Sequence, residues 1–291
     1  MLLDTPSLYF RAFYGVPDSV RSPTGEPVNA IRGLIDMTAR LIAERRPTHL
    51  VAAMDHDWRP AFRTALLPSY KAHRVVYANE EAVPDLLSPQ VPVIEEVLEA
   101  VGIVVVGSAG YEADDVIGTL AVGSGLPVEI VTGDRDLFQL VDDARGVRVL
   151  YTQKGLSNLA VVDEAWVHAK YGIPGRAYAD FALLRGDPSD GLPGVPGIGE
   201  KTAAALVTKY GSVAALLAAP DAPAKVLANR SYVDAATTVV AVAHDVALPA
   251  FDDLLCATPR SPERLVELSE RWGLDSSLNR LLAAIASVCE A

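Results

Sequence analysis

Apolar residues fall into short solid runs and longer, spaced stretches, and the two kinds alternate along the chain. Met1-Leu2-Leu3 is a brief apolar run closed by Asp4, which predicts a short buried strand. After Pro27, apolar positions at Ile31, Leu34, Ile35, Leu41 and Ile42 repeat at helical spacing. Thr48 to Met54 reads as a second strand and ends at Asp55. Val93, Ile94, Val97, Leu98 and Val101 predict the next helix, and the β-branched run Ile103-Val104-Val105-Val106 a strand buried on both faces. Glu112 to Val122 then predicts a helix and Val128 to Val131 another strand. Strands separated by helices of about ten residues indicate βαβ units. The fold class is therefore α/β, with a twisted, mainly parallel sheet flanked by helices.

From about residue 176 the texture changes to helices and tight turns. Residues 185 to 201 hold five glycines and three prolines, too many for an element interior. Amphipathic helices are predicted over Ala203 to Tyr210, Val213 to Ala218, and again near 261 to 288. The organisation read from this is a core over 1–175, a helical region over 176–255 and a helical segment over 256–291 packing back on the core. Val75 to Ser88 is the least patterned part of the first half, the place for a loop or an arch.

In open α/β sheets, ligands sit beyond the carboxyl ends of the strands. Asp4, Asp55 and the Asp134/Asp136 pair each follow a strand, while Glu112, Asp114 and Asp115 open a helix. Asp187 and Asp190 lie beside the glycine-rich turn. Any one of these acids alone would be as well explained as a helix cap. Gathered at one rim without cations, nine carboxylates would repel and raise one another's pKa values. An all-oxygen set suits hard divalent cations, Mg2+ or Mn2+, which keep waters and are completed by substrate phosphate. Two such ions about 4 Å apart clamp the attacking and leaving oxygens of a phosphodiester displacement, and no histidine base is then required. No Cys/His cluster favours zinc.

Composition changes this picture little. The net charge of −12 in 291 residues would repel a polyanion, but many of the acids sit in these motifs, where cations would offset them. The basic residues have their own cluster. Arg59, Arg63, Lys71, His73 and Arg74 lie in a stretch without a single acid, and Tyr70 stands beside Lys71 as a ring for stacking. A solvated basic face is the plainer account of that stretch. Tyr9, Phe10, Arg11, Phe13 and Tyr14 form a second aromatic-basic group, equally suited to core or to stacking. Gly197 and Gly199 leave amide N–H groups free at a helix start, a ready phosphate site, with Lys201 adding a cation and Thr202 a hydroxyl. No membrane span or secretory signal is predicted, and Cys256 and Cys289 read as packing thiols of a reduced, cytoplasmic setting.

Taken together, Leu3-Asp4, Asp55, Tyr70-Lys71-Ala72-His73-Arg74, Glu112-Ala113-Asp114-Asp115, Thr132 to Asp136 and Gly186 to Ala203 resemble the bacterial 5′ nucleases, or flap endonucleases, which include the amino-terminal domain of DNA polymerase I. The resemblance implies a PIN-like 5′ nuclease core and a helix–three-turn–helix element, centred on Gly197 to Thr202, that holds duplex DNA through phosphates with help from K+. It implies two or three divalent ions held among Asp4, Asp55, Glu112, Asp114, Asp115, Asp134, Asp136, Asp187 and Asp190. It places Lys71 and Arg74 at the scissile phosphate, and a helical arch for the 5′ strand at Val75 to Ser88, within a clamp region of about 59–90. Arg59, Arg63, Tyr70, Lys71, Arg74, Gly197, Gly199, Lys201 and Thr202 are the DNA contacts to expect. The implied substrate is branched DNA with 5′ flaps or ends, RNA-primed in some cases, cut by a monomer acting with replication or repair partners. The length leaves no room for a polymerase domain, so the nuclease is expected to stand alone.

Two departures stand out: Thr5 where many relatives have glycine, and Gly191 in place of a common asparagine. Rival readings fit less well. A junction binder without chemistry would not need the full acid set. An aspartyl-nucleophile phosphohydrolase would need a second acid after Asp4, where Thr5 and Pro6 stand. An RNA nuclease of related topology would leave Gly186 to Ala203 unexplained.

Overall fold

The computed structural model describes residues 1–75, 81–153 and 155–289. Its sheet comprises β1 (Leu2–Asp4), β2 (Val51–Ala53), β3 (Val104–Val106), β4 (Val128–Thr132), β5 (Val147–Tyr151) and β6 (Ala160–Val162), in the order β3-β2-β1-β4-β5-β6. All neighbours are parallel except β6, which runs antiparallel to β5. The sequence pattern predicts the first four strands and misses the last two. β5 is broken by exposed Arg148, and β6 is too short to show a period.

The helices, in chain order, are α1 (Thr5–Gly15), α2 (Asn29–Arg45), α3 (Ala61–Leu66), α4 (Val91–Val101), α5 (Ala113–Gly123), α6 (Glu164–Tyr171) and α7 (Tyr178–Arg185). They continue with α8 (Glu200–Tyr210), α9 (Val213–Ala218), α10 (Ala224–Ala228), α11 (Arg230–Val240), α12 (Pro262–Trp272) and α13 (Asp275–Cys289). α1 accounts for the aromatic-basic group after the first strand. Asp4 caps it by accepting from Ser7 N at 3.1 Å, and Pro6 suits its first turn. Tyr9 turns inward and Tyr14 stays exposed.

Alternation along each strand builds two cores. Leu2, Val51, Ala53 and Ile130 face one side, and Leu3, Ala52 and Val131 the other. The first side is covered by α5 and runs on through Phe138, Tyr178 and Phe181 into the helical region, reaching Leu206, Val233 and Val239. The second is covered by α1, α2 and α4, with α13 packed along α2 and α12 on α4. Burying both faces explains why the strands read as solid apolar runs. Cys256 and Cys289 are free and exposed, not the packing thiols expected.

This strand order reverses direction between β1 and β4, which opens a crevice at their carboxyl ends. Asp4 closes β1, and Asp134 follows β4 by two residues. Among the described residues of 75–88 there is no helical arch. Val75 pairs with Glu81 in an antiparallel bridge, and Leu87 is buried. Buried Gln90 then fastens this segment to the start of α2, its Oε1 accepting from Ala30 N at 2.9 Å and its Nε2 donating to Asn29 Oδ1 at 3.0 Å. Residues 76–80, the middle of the expected arch, lie outside the described residues.

Candidate active site

A cleft of about 200 Å3 opens at the carboxyl edge of the sheet, lined by Asp4, Asp55, Glu81, Glu112, Asp114 and Asp134 together with Lys71 and Arg74. Each acid is delivered by a different local device. Asp4 is the cap of α1 and also accepts from Thr132 Oγ1 at 2.5 Å. Asp55 accepts from Ala113 N at 2.7 Å, which seats the start of α5 against the end of β2. Asp134 closes an Asx turn by accepting from Asp136 N at 2.9 Å.

Burial first, and neighbouring charges after it, raise the pKa values of several of these carboxylates. Burial raises the pKa of Asp4 to about 7, with Asp55 and Asp134 adding to it against the bonds from Thr132 and Ser7. Burial lifts Asp55 to about 6, opposed by Lys71. Asp114 lies well above the ordinary carboxylate range through burial and then the charges of Asp4 and Asp134. Asp136 does so through burial and then the charges of Asp134 and Asp190. Such groups gain most from a cation, and oxygen donors alone face the cleft from the acid side, so the set fits a hard divalent ion. As the side chains stand, no three ligating groups among the described residues converge on one point. The acids form a rim, not a closed cage, which suits an ion completed by water and substrate oxygens.

Asp187 and Asp190 stand outside the cleft lining, in the turn on which Lys71 and Arg74 rest. Asp187 accepts from Arg185 Nη2 at 3.1 Å and Arg135 Nη2 at 3.3 Å, so it is already paired. Asp190 is met by Arg74 Nη2 at 3.3 Å, and its carbonyl accepts from Lys71 N at 3.0 Å. The basic loop is therefore docked on the Asp187–Asp190 turn. Gly191 explains its own identity here: its φ is +71°, and a Cβ would stand 2.1 Å from Ser69 O. Lys71 takes a left-handed backbone, φ 49°, uncommon for a side-chain-bearing residue. Its ammonium meets Glu112 and projects into the cleft. Burial pulls the Lys71 pKa down, but Tyr70 and Glu112 outweigh it and hold the amine firmly protonated.

Several expected DNA contacts are turned inward. Arg63 is 2% exposed and forks onto Asp115, Nη1 at 2.8 Å and Nη2 at 2.7 Å, while also meeting Glu112. A basic residue without acids near it in sequence is neutralised by acids brought from α5, and it has no face left for DNA. Tyr70 is buried, with Oη donating to Glu112 at 2.7 Å, so it is no stacking platform. Arg59 holds its own loop through Tyr70 O at 2.6 Å and Pro68 O at 2.8 Å. Asp115 is fully buried and faces away from the cleft into this arginine knot, which removes it from the candidate ion ligands. Glu112 belongs to both, lining the cleft while paired with Arg63 and Lys71.

At the second turn, Gly197 has φ +74° and Gly199 precedes α8, whose first turn carries exposed Lys201 and Thr202. A Cβ on either glycine would touch nothing within 4 Å, so the protein itself leaves this surface open. The sequence reading missed Glu81 and Thr132 around the cleft and Arg135 and Arg185 on Asp187. Glu81 sits in the unpatterned stretch, and the arginines announce themselves only through their partners. A larger hollow, about 910 Å3, lies at the opposite sheet edge around Met1, Arg45, His49 and Phe251. It holds two acids, Asp253 and the Glu129 already paired with Arg45, against the six that line the smaller cleft.

Comparison with known proteins agrees in kind. Residues 1–172 match the family described as 5'-3' exonuclease, N-terminal resolvase-like domain, and residues 173–262 the 5'-3' exonuclease, C-terminal SAM fold. The chain is 58% identical to a 5'-3' exonuclease of Streptomyces coelicolor over 99% of its own length and 100% of the relative's. It is 46% identical to DNA polymerase I of Mycobacterium bovis over 76% of its length, which is 24% of that polymerase. Its fold is similar to the bacteriophage T5 D15 flap endonuclease solved with DNA and metal ions, at a TM-score of 0.66 and 15% identity, covering 100% of this chain and 99% of that one.

Proposed function

This chain belongs to the 5′-3′ exonuclease family, and from that premise we propose that it hydrolyses phosphodiester bonds in DNA near 5′ flaps, junctions or ends, with divalent cations in the acidic cleft. The observation that carries the reading is the cleft itself: carboxylates, among them Asp4 and Asp114 with raised pKa values, line it together with two cations, Lys71 and Arg74. Asp4, Asp55, Glu112, Asp114 and Asp134 would hold Mg2+ or Mn2+, with Asp136, Asp187 and Asp190 placing a second ion or its waters. A bound divalent ion supplies hydroxide near neutral pH and stabilises charge on the phosphate.

The protein's own residues do the rest. Lys71 and Arg74 are aimed where phosphate charge develops, and they are fixed in advance by Glu112 and by the Asp187–Asp190 turn. Open amides and Lys201 at the Gly197–Thr202 turn take the duplex backbone. K+ would assist at that turn. The Gly197 carbonyl already accepts from Lys225 Nζ at 2.8 Å, so such an ion would use other carbonyls. The enzyme would act as a monomer in replication and repair. No helix among the described residues is long and apolar enough to cross a membrane.

The test is cleavage of a 5′-labelled flap duplex with Mg2+ or Mn2+, beside single-stranded and blunt duplex DNA. EDTA and an Asp134→Asn/Asp136→Asn protein are the controls. Junction-selective products that vanish in both controls support the proposal; tight flap binding without metal-dependent product would leave a junction binder in its place.

A further inference from the structure

The segment 239–246, which leaves α11, is stitched to two of the acid-bearing elements, α5 and the turn that carries Asp134 and Asp136. Arg63 donates Nε to Val239 O at 3.0 Å and Nη2 to Ala241 O at 3.0 Å, while its fork holds Asp115 at the start of α5. Asp115 Oδ1 in turn accepts from Ala243 N at 2.8 Å. Thr119 Oγ1, one turn further along α5, donates to Ala243 O at 3.3 Å and accepts from Val246 N at 3.1 Å. The approach is so close that a Cβ on Gly118 would stand 2.6 Å from Ala243 O.

Gln139 makes the second attachment. Its Nε2 donates to Val240 O at 3.0 Å and its Oε1 accepts from Val242 N at 3.2 Å, pairing with this segment at two points. The same Nε2 donates to the carbonyl of Asp136 at 2.8 Å. At its other end α11 reaches the glycine-rich turn. Tyr232 Oη accepts from Gly194 N at 3.0 Å and donates to Leu183 O at 2.9 Å. A continuous line of packed helix and hydrogen bonds therefore runs from the turn, through α11, to Asp136 and to the start of α5, where Asp114 faces the cleft.

We propose that segment 239–246 is a strap through which duplex engagement at the turn sets the acid-bearing elements, with Gln139 and Arg63 as its positioning residues. This rests on the nuclease reading above. Arg63 is buried, and both side chains are taken up by partners within the protein. Arg63 holds α5 and Gln139 holds the Asp136 turn at the separation the cleft needs. A displacement of about 1 Å from such a distance can cost roughly a hundredfold in rate.

The test is a Gln139→Leu protein, which loses both pairings at nearly constant volume, beside Arg63→Lys, which keeps the buried charge and loses the fork. Single-turnover cleavage is measured on a flap with a long duplex and on one whose duplex is too short to reach Gly197–Thr202. Binding of the long duplex is measured in EDTA, and thermal melting completes the set. The strap predicts a ten- to hundredfold slower cut on the long duplex, a dissociation constant within twofold of the unaltered protein, and a smaller advantage of long over short duplex. An unchanged rate, an equal loss on both substrates, or a loss explained by weaker binding would each overturn it. If Gln139→Leu does not fold, Arg63→Lys is read by the same criteria. Failure of the unaltered protein to cut either flap would instead strike the nuclease reading, which keeps the two failures apart.

Discussion

Asp114 and Asp115 are neighbours in sequence and opposites in setting. Asp114 looks into the cleft among Asp4, Asp134 and Glu112, and it holds its proton well above the ordinary range because burial and like charges disfavour ionisation. Asp115 looks the other way, fully buried, with a guanidinium forked across both oxygens and two backbone amides on them. One end of a helix thus carries an uncompensated acid for binding and a compensated acid for structure. The lesson is that a run of carboxylates says little about any one of them; the partner decides.

The contrast can be broken by substitution. Removing one partner of a buried ion pair strands the other, so Asp115→Ala should destabilise the fold by about 3–5 kcal/mol in urea unfolding. Asp114→Asn should not destabilise it, since it relieves repulsion, yet cleavage should fall beyond the roughly 100-fold cost of losing even an outer metal partner. A stable Asp115→Ala protein, or an active Asp114→Asn one, would erase the distinction.

Proton linkage sharpens it further. The folded-state pKa values of Asp4, about 7, and Asp55, about 6, stand above their unfolded values. The folded chain therefore keeps protons that the unfolded chain has released, and stability is lost as pH rises through about 6 to 7. Metal-free protein should melt a few degrees higher at pH 5.5 than at pH 7.5, about 2–4 °C for each kcal/mol in a chain of this size. Mg2+ should shrink that difference by taking the protons' place. Differential scanning calorimetry in EDTA and in Mg2+ decides this.

Smaller effects belong to the turn. Lys201→Ala should weaken duplex binding almost independently of sequence and reduce the slope of log K against log salt by about one, whereas Lys71→Ala should chiefly slow the cut. Gly199→Ala should fall within about 0.5 kcal/mol of the unaltered stability, because its φ of −95° is ordinary and its Cβ meets nothing. Its effect should appear only in duplex affinity, measured by anisotropy. A stability loss there would mean the glycine serves the fold and not a ligand.

Much was legible in the residues themselves. Strand-ending acids, the helix periods of α2, α4 and α5, and the glycine-rich turn are local patterns, because 2.0 and 3.6 residue periods and glycine's backbone freedom are written within a few positions of one another. α1 was not legible, since Pro6 and a row of aromatics mask its period, and neither were β5, whose run exposed Arg148 breaks, and β6, which is too short to show a period. The sequence by itself determined that acids follow the strand ends and that the chain belongs with the 5′ nucleases. Only the tertiary structure decided that Arg63 and Tyr70 turn inward, that Asp115 leaves the cleft, that Gly191 is needed beneath Ser69, and that α11 is tied to Asp136 by Gln139. The reason is physical: these outcomes depend on partners 42 to 128 positions away in the chain, and a charge's role follows from its neighbours in space.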